Sequence, residues 1–197
     1  MHKPKRKRVS IRLKDFDYSQ PGGYFVTVCA QGHRQIFGAV RGDEMLPNML
    51  GLIVENEWLR TPLLREGTTL DAFVVMPNHF HGILMIEDCE ATMHRGPTFE
   101  RFGRPVTSSL STIMRSFKAA VSRRSRRLCP HACDIWQPRF YDHIIRDERC
   151  LEKIRDYILS NPARWSQDRE NPAATACDPF DSWIDSFKNR PPSGAER

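Results

Sequence analysis

The chain has 197 residues, a formal net charge of +6 and 40% hydrophobic residues. That length suits one domain with appendages rather than two full domains. A mean hydropathy of −0.54, with no apolar run near the roughly 20 residues that cross a bilayer, argues against a membrane-spanning protein and for no membrane partner. The start, Met-His-Lys-Pro-Lys-Arg-Lys-Arg, is basic with no apolar stretch behind it. It is not a secretory signal, so the expected address is cytoplasmic.

Residues 1–20 read as a basic arm. Seven Lys or Arg and no acid fall between Lys3 and Lys14. Gln20-Pro21-Gly22-Gly23 marks a turn, and Tyr24–Ala30 is rich in aromatic and β-branched residues, as a strand requires. Asn48 is placed to cap a helix reaching about Leu64, with Leu50, Ile53, Val54, Trp58 and Leu59 on one face. Thr69–Met76 is a second strand, Pro77-Asn78 interrupts it, and His81–Glu87 is a third. Residues 88–105 read as a polar loop. Thr107, Ser108 or Ser109 then caps a long helix whose apolar positions are Leu110, Ile113, Met114, Phe117 and Val121. Ile135–Ile145 is a fourth strand, weakened by Pro138. Asp147 caps a last helix through about Ser160, ended by Asn161-Pro162. The order β-α-β-β-α-β-α suggests an α+β, ferredoxin-like antiparallel sheet with helices packed on one face. The core domain is expected over 21–165, and 166–197 reads as a C-terminal tail without periodicity.

The basic residues point to a polyanion. Arg115, Lys118, Arg123 and Arg124 lie off the apolar stripe of the long helix. With Arg12 and its neighbours in the arm they form two basic clusters flanking an apolar domain, which favours nucleic-acid backbone contact. The six cysteines are scattered and read as reduced thiols. Cys129, His131 and Cys133 have the closeness of a zinc knuckle but lack a fourth ligand at suitable spacing.

His79-Phe80-His81 carries the chemistry. On an extended chain, residues i and i+2 share a face, so both imidazoles can reach one cation while Phe80 enters the core. The apolar runs on either side make this a buried strand pair, where two polar rings need a reason to exist. Tyr157 and Asn161 share a helical face one turn apart. Asn161 offers a carbonyl oxygen to a hard cation, and Tyr157 a phenol that can act as a nucleophile. Tyr141, beside Asp142 and His143, is the alternative nucleophile. Trp136 and Phe140 fit either base stacking or core packing.

These residues resemble a family. His79-Phe80-His81 is similar to the His-hydrophobic-His signature of the HUH nucleases. Val75-Met76-Pro77-Asn78 before it, Ile135-Trp136-Gln137-Pro138-Arg139-Phe140, Tyr141-Asp142-His143-Ile144-Ile145-Arg146, and Asp156-Tyr157-Ile158 ending at Asn161-Pro162 look like the IS200-like single-tyrosine transposases. The REP-associated tyrosine transposases resemble them most, over about residues 8–165. The resemblance implies metal-dependent cleavage and rejoining of single-stranded DNA hairpins through a 5′-phosphotyrosine. It assigns Tyr157 as nucleophile, His79 and His81 as metal ligands, and Asn161 as third ligand, where the family more often has Gln. The cofactor would be Mg2+ or Mn2+; imidazole with oxygen donors suits manganese at least as well. His143 is a candidate to touch DNA. A homodimer and a monomer are both open. Two other readings remain: a domesticated hairpin-binding protein without cleavage, and a zinc hydrolase with His143 as third ligand.

Overall fold

The computed structural model describes residues 16–87, 106, 108–128 and 134–187. Residues 1–15 of the basic arm, Arg12 among them, the loop 88–105 and the Cys129-His131-Cys133 group lie outside the described residues.

In chain order the elements are β1 (Gly22–Cys29), β2 (Gly38–Arg41), β3 (Glu44–Pro47), α1 (Met49–Leu59), α2 (Thr61–Leu64), β4 (Thr68–Val75), β5 (His79–Ile86), α3 (Leu110–Leu128), β6 (Tyr141–Ile145), α4 (Glu148–Ser160) and α5 (Pro179–Asp185). The main sheet has the order β4-β5-β1-β6, and every neighbouring pair is antiparallel. Setting aside the small β2-β3 sheet, the one-turn α2 and the final α5 leaves the expected β-α-β-β-α-β-α order, so the fold is ferredoxin-like.

The central β1-β5 pair is hydrophobic on both faces because both faces are covered. Val26, Val28, Phe80 and Leu84 pack with Ile53, Val54 and Trp58 of α1 and Met114 and Phe117 of α3. Phe80 meets Trp58 at 4.8 Å and Phe117 at 5.4 Å between ring centroids. Gly82 permits this approach, since a Cβ there would come within 2.8 Å of both Trp58 and Phe80. The expected one-sided helix layer is thus formed by α1 and α3. The other face of the sheet carries Phe25 and Ile83, against Leu151, Ile154, Tyr157 and Ile158 of α4 and Phe180 of α5.

Local chemistry sets the helix ends. Asn48 Oδ1 accepts from the backbone N–H of Leu50 and Gly51, satisfying two of the helix's orphan donors. Asp147 does the same from Cys150. Of the three candidates before α3, Ser109 is the cap, its Oγ accepting from Thr112 N.

The sequence reading differs from the structure in four places. The helix expected through Leu64 breaks after Leu59, because Pro62 has no N–H to continue the ladder and instead sits in the first turn of α2. β5 starts at His79 rather than His81, which puts both histidines on one regular strand. The fourth strand is confined to Tyr141–Ile145, and Trp136 keeps only an isolated bridge to Ala30. The β2-β3 hairpin was not anticipated, because its strands have four residues each. No described helix is long and apolar enough to cross a membrane.

Candidate metal centre and nucleophile

Strand β5 delivers the two histidines. Their side chains are fully buried at 0% and 2% exposure, and their rings lie 4.4 Å apart. Each ring is oriented by a hydrogen bond at Nδ1. His79 Nδ1–H donates to Asn78 Oδ1 at 2.9 Å. Asn78 cannot turn away, since its Nδ2 donates to the carbonyls of Glu170 at 2.6 Å and His33 at 3.3 Å. His81 Nδ1 lies 2.8 Å from Thr27 Oγ1 on the paired strand, and Phe25 stacks on its ring at 5.2 Å. The Asn78 oxygen fixes His79 Nδ1–H and so leaves its Nε2 as a lone-pair donor, as metal-binding histidines need; the Thr27 hydroxyl can accept from His81 Nδ1–H in the same way.

Asp168 is the residue that the sequence did not reveal. It follows the short 3-10 turn Trp165–Gln167 and is 1% exposed. One donor atom each from His79, His81 and Asp168 falls within 4.8 Å of the others. His79 Nε2 is 3.7 Å from Asp168 Oδ2, too far for a hydrogen bond, and has no hydrogen-bond partner. Asn161 Oδ1 is likewise buried without one, while Asn161 Nδ2 donates to Asp168 Oδ2 at 2.8 Å. An orphaned imidazole nitrogen beside a buried carboxylate fits a cation, because burying it without one costs free energy. The donor set that the site presents is therefore His79, His81 and Asp168, with Asn161 beside them. The expected ligand Asn161 is at the site, but Asp168 stands between it and the histidines as hydrogen-bond partner.

Electrostatics follow the burial. Desolvation, then the neighbouring His79 imidazole, holds His81 well below its ordinary value, and burial lowers His79 too. Burial pushes Asp168 up, but the His79 and His81 rings, the Asn161 amide and the Glu170 N–H outweigh it and hold the carboxyl low. The site thus keeps neutral imidazoles beside a carboxylate.

Helix α4 delivers Tyr157. Its hydroxyl donates to Asp168 Oδ2 at 3.3 Å and lies 3.4 Å from His81 Nε2. Burial, then the negative charge of Asp168, Asp181 and Asp178, raises its pKa far above the ordinary tyrosine value. The helix is fastened by Arg155, which donates to Asp71 Oδ1 on β4 at 2.9 Å and Oδ2 at 2.6 Å. Tyr157 is only 2% exposed because Phe180 of α5 covers its ring. Arg169 holds α5 through Asp181 at 3.3 Å and Asp185 at 3.0 Å. Residues 166–187, read from sequence as part of the tail, therefore pack on the site. Beside it lies a cavity of about 270 Å3, lined by Thr27, His81, Tyr141, Tyr157, Arg169 and Asp181 among others. Tyr141, the alternative nucleophile, lies on that wall, 44% exposed.

The other expected site residues differ in exposure and partners. Arg115 and Arg123 are exposed on α3. Arg124 pairs with Glu57 at 2.9 Å. Lys118 points inward: its Nζ donates to the carbonyls of Gln137, Pro138 and Arg139 at 2.6, 3.2 and 3.3 Å, and burial lowers its pKa to about 8. His143 is not among the donors that converge at the metal centre; it packs against Trp183 and Phe187. Trp136 belongs to the core against Phe37 and Phe117.

No protein-family model matches the chain. An uncharacterised protein of Haemophilus influenzae is 35% identical over 167 residues, covering 82% of this chain and 92% of that protein. Among solved structures, a REP-associated tyrosine transposase bound to a REP hairpin aligns with a TM-score of 0.52 at 21% identity, over 84% of this chain and 74% of that one. A Deinococcus radiodurans crystal structure assigned as a transposase aligns with a TM-score of 0.43 at 17% identity, over 75% of this chain and 96% of that one. The fold is thus that of the REP-associated tyrosine transposase structure. The chain belongs to the family of the Haemophilus influenzae protein.

Proposed function

We propose that the chain is a metal-dependent HUH strand transferase that cleaves and rejoins single-stranded DNA hairpins, with Tyr157 as nucleophile. The observation that carries this reading is the convergence of Tyr157, His79, His81 and Asp168 from a helix, a strand and a following turn into one buried cluster. The hairpin-bound neighbour supports hairpin DNA as the substrate class.

His79, His81 and Asp168 would hold the cation, with Asn161 Oδ1 as a further donor. Two imidazoles beside oxygen donors suit manganese at least as well as magnesium. A bound cation would supply positive charge to a phosphate oxygen and to the developing transition state. Asp168 Oδ2 is the nearest carboxylate acceptor for the Tyr157 proton. The phenolate oxygen then forms a bond to phosphorus while the bond to the 3′ oxygen breaks. The 3′-hydroxyl strand leaves, and the 5′ phosphate stays on Tyr157. A second 3′-hydroxyl reverses the step, which rejoins ends without an external energy source. Arg115 and Arg123 would meet the DNA backbone, and these contacts set affinity more than sequence choice.

The test uses the full-length chain, Mn2+ and labelled single-stranded hairpins from the source genome. An SDS-stable adduct mapping to Tyr157 and absent from Tyr157→Phe is expected. An adduct that persists in Tyr157→Phe would overturn the assignment. The burial of Tyr157 beneath Phe180 favours one second reading, a hairpin-binding protein without cleavage. Tight binding with no adduct would select it.

A further inference from the structure

We propose that Cys29, His33 and Glu170 form a second divalent-metal site, separate from the histidine pair, that takes zinc or a similar borderline transition ion. Cys29 ends β1 and is 1% exposed. Its Sγ lies 3.3 Å from Glu170 Oε2. His33 closes the 3-10 turn Gln31–His33 just after that strand, and its Nδ1 lies 3.3 Å from the same carboxylate oxygen. One donor atom from each residue falls within 4.8 Å of the other two.

The donor set is the kind zinc selects. Thiolate, imidazole and carboxylate are its three protein ligand types, and bonds of about 2.0–2.3 Å in a tetrahedron put neighbouring donors roughly 3.3–3.7 Å apart. The contacts at Glu170 already have that spacing. The His33 backbone has a φ of 52°, a left-handed conformation that is uncommon outside glycine and that a local function can retain. The His33 side chain is 41% exposed, so the site opens to solvent on one side and is lined by protein on the other. Thiolate and carboxylate together balance the charge of a divalent ion. Loading releases the Cys29 thiol proton to solvent. In the unloaded site Gln137 Nε2 donates to His33 Nε2 at 2.9 Å; loading through Nδ1 moves the His33 proton to Nε2 and turns the Gln137 amide over so that its Oε1 accepts it.

The position gives such an ion a structural role. Glu170 N–H donates to Asp168 Oδ1 at 2.7 Å, and the Glu170 carbonyl accepts from Asn78. An ion on Glu170 would therefore fasten the turn that presents Asp168 and share Asn78 with the support of His79. The site stands on its own residues, whether or not the chain transfers DNA strands.

Cobalt(II) added to the metal-free full-length chain should give a near-ultraviolet sulfur-to-cobalt charge-transfer band, removed by stoichiometric zinc. The histidine pair has no thiol and cannot produce that band, so a His79→Ala/His81→Ala variant keeps it. Cys29→Ser abolishes it. Glu170→Gln retains a folded circular-dichroism spectrum and binds zinc roughly tenfold or more weakly. Cys133→Ser keeps the band, which separates this site from the Cys129–Cys133 segment. Absence of the band in the wild-type chain, or its survival in Cys29→Ser, would overturn the proposal. So would unchanged zinc affinity in Glu170→Gln.

Discussion

The Phe180 ring stacks on that of Tyr157, 3.7 Å away between centroids and 6° from parallel. One face of the Tyr157 ring is therefore closed by a residue from the last described helix. Phe180→Ala should expose that face. It should also cost about 3 kcal/mol of stability, the low end for removing a buried phenylalanine. Urea unfolding measures the second effect, and nitration by tetranitromethane the first: Tyr157 is protected in the wild-type chain and modified in the variant.

Asn78 makes the His79 tautomer conditional. Its Oδ1 accepts from Nδ1 while its Nδ2 is tied to two carbonyls. Asn78→Ala removes the acceptor that holds the ring. Manganese affinity, read by titration calorimetry, should fall about 10–100-fold with the circular dichroism unchanged. Unaltered affinity would mean that the strand alone sets the ring.

Asp168→Asn separates the two candidates for the third ligand. The variant keeps a side chain of nearly the same shape but loses the charge that faces both imidazoles. Manganese binding should weaken by an order of magnitude or more, as expected for loss of a ligand rather than of its support. Asn161→Ala should cost less, since its carbonyl is a neutral donor. The reverse order would make Asn161 the principal ligand.

Lys118 and Arg123 sit on one helix but should fail differently. Lys118→Met leaves three carbonyls of residues 137–139 without their donor and should destabilise by roughly 1–3 kcal/mol. Arg123→Gln and Arg115→Gln should leave stability unchanged, and each should lower the slope of log affinity against log salt for hairpin DNA by about 0.7–0.9. Fluorescence anisotropy across a salt series measures the slope.

His143 supplies a pH signature. Burial, aided by Arg146, lowers its pKa to about 4, against an ordinary value of 6.5 in the unfolded chain. The unfolded state therefore binds more protons between those values. The stability from a neutral His143 is complete above about pH 6.5 and is lost as pH falls toward 4. The upper limit is about 3 kcal/mol before solvent screening. His143→Phe should flatten this part of the stability profile, as read by urea unfolding at pH 7 and pH 5.

The sheet and the histidine pair were legible because their signals are local. Period-two alternation and apolar runs mark β1, β4 and β5, and His-x-His needs only the strand's own period to become a same-face pair. Tyr157 and Asn161 were likewise set by helical phase. Asp168 was invisible because its role depends on a turn without periodicity folding back over the sheet. The same holds for Phe180, whose seven-residue helix carries too little pattern to place. Lys118 misled for a different reason: a helical projection shows which way a stem leaves the helix, not that three loop carbonyls wait for the ammonium.

The arrival of Asp168 after α4 has a consequence for biosynthesis. A nascent chain that has emerged only to Asn161 already carries both histidines and the tyrosine, yet has no carboxylate between them. The acidic donor that completes the cluster follows several residues later, and the Phe180 cover later still. Synthesis thus imposes an order on the cluster: His79, His81 and Tyr157 first, Asp168 second, the Phe180 cover last.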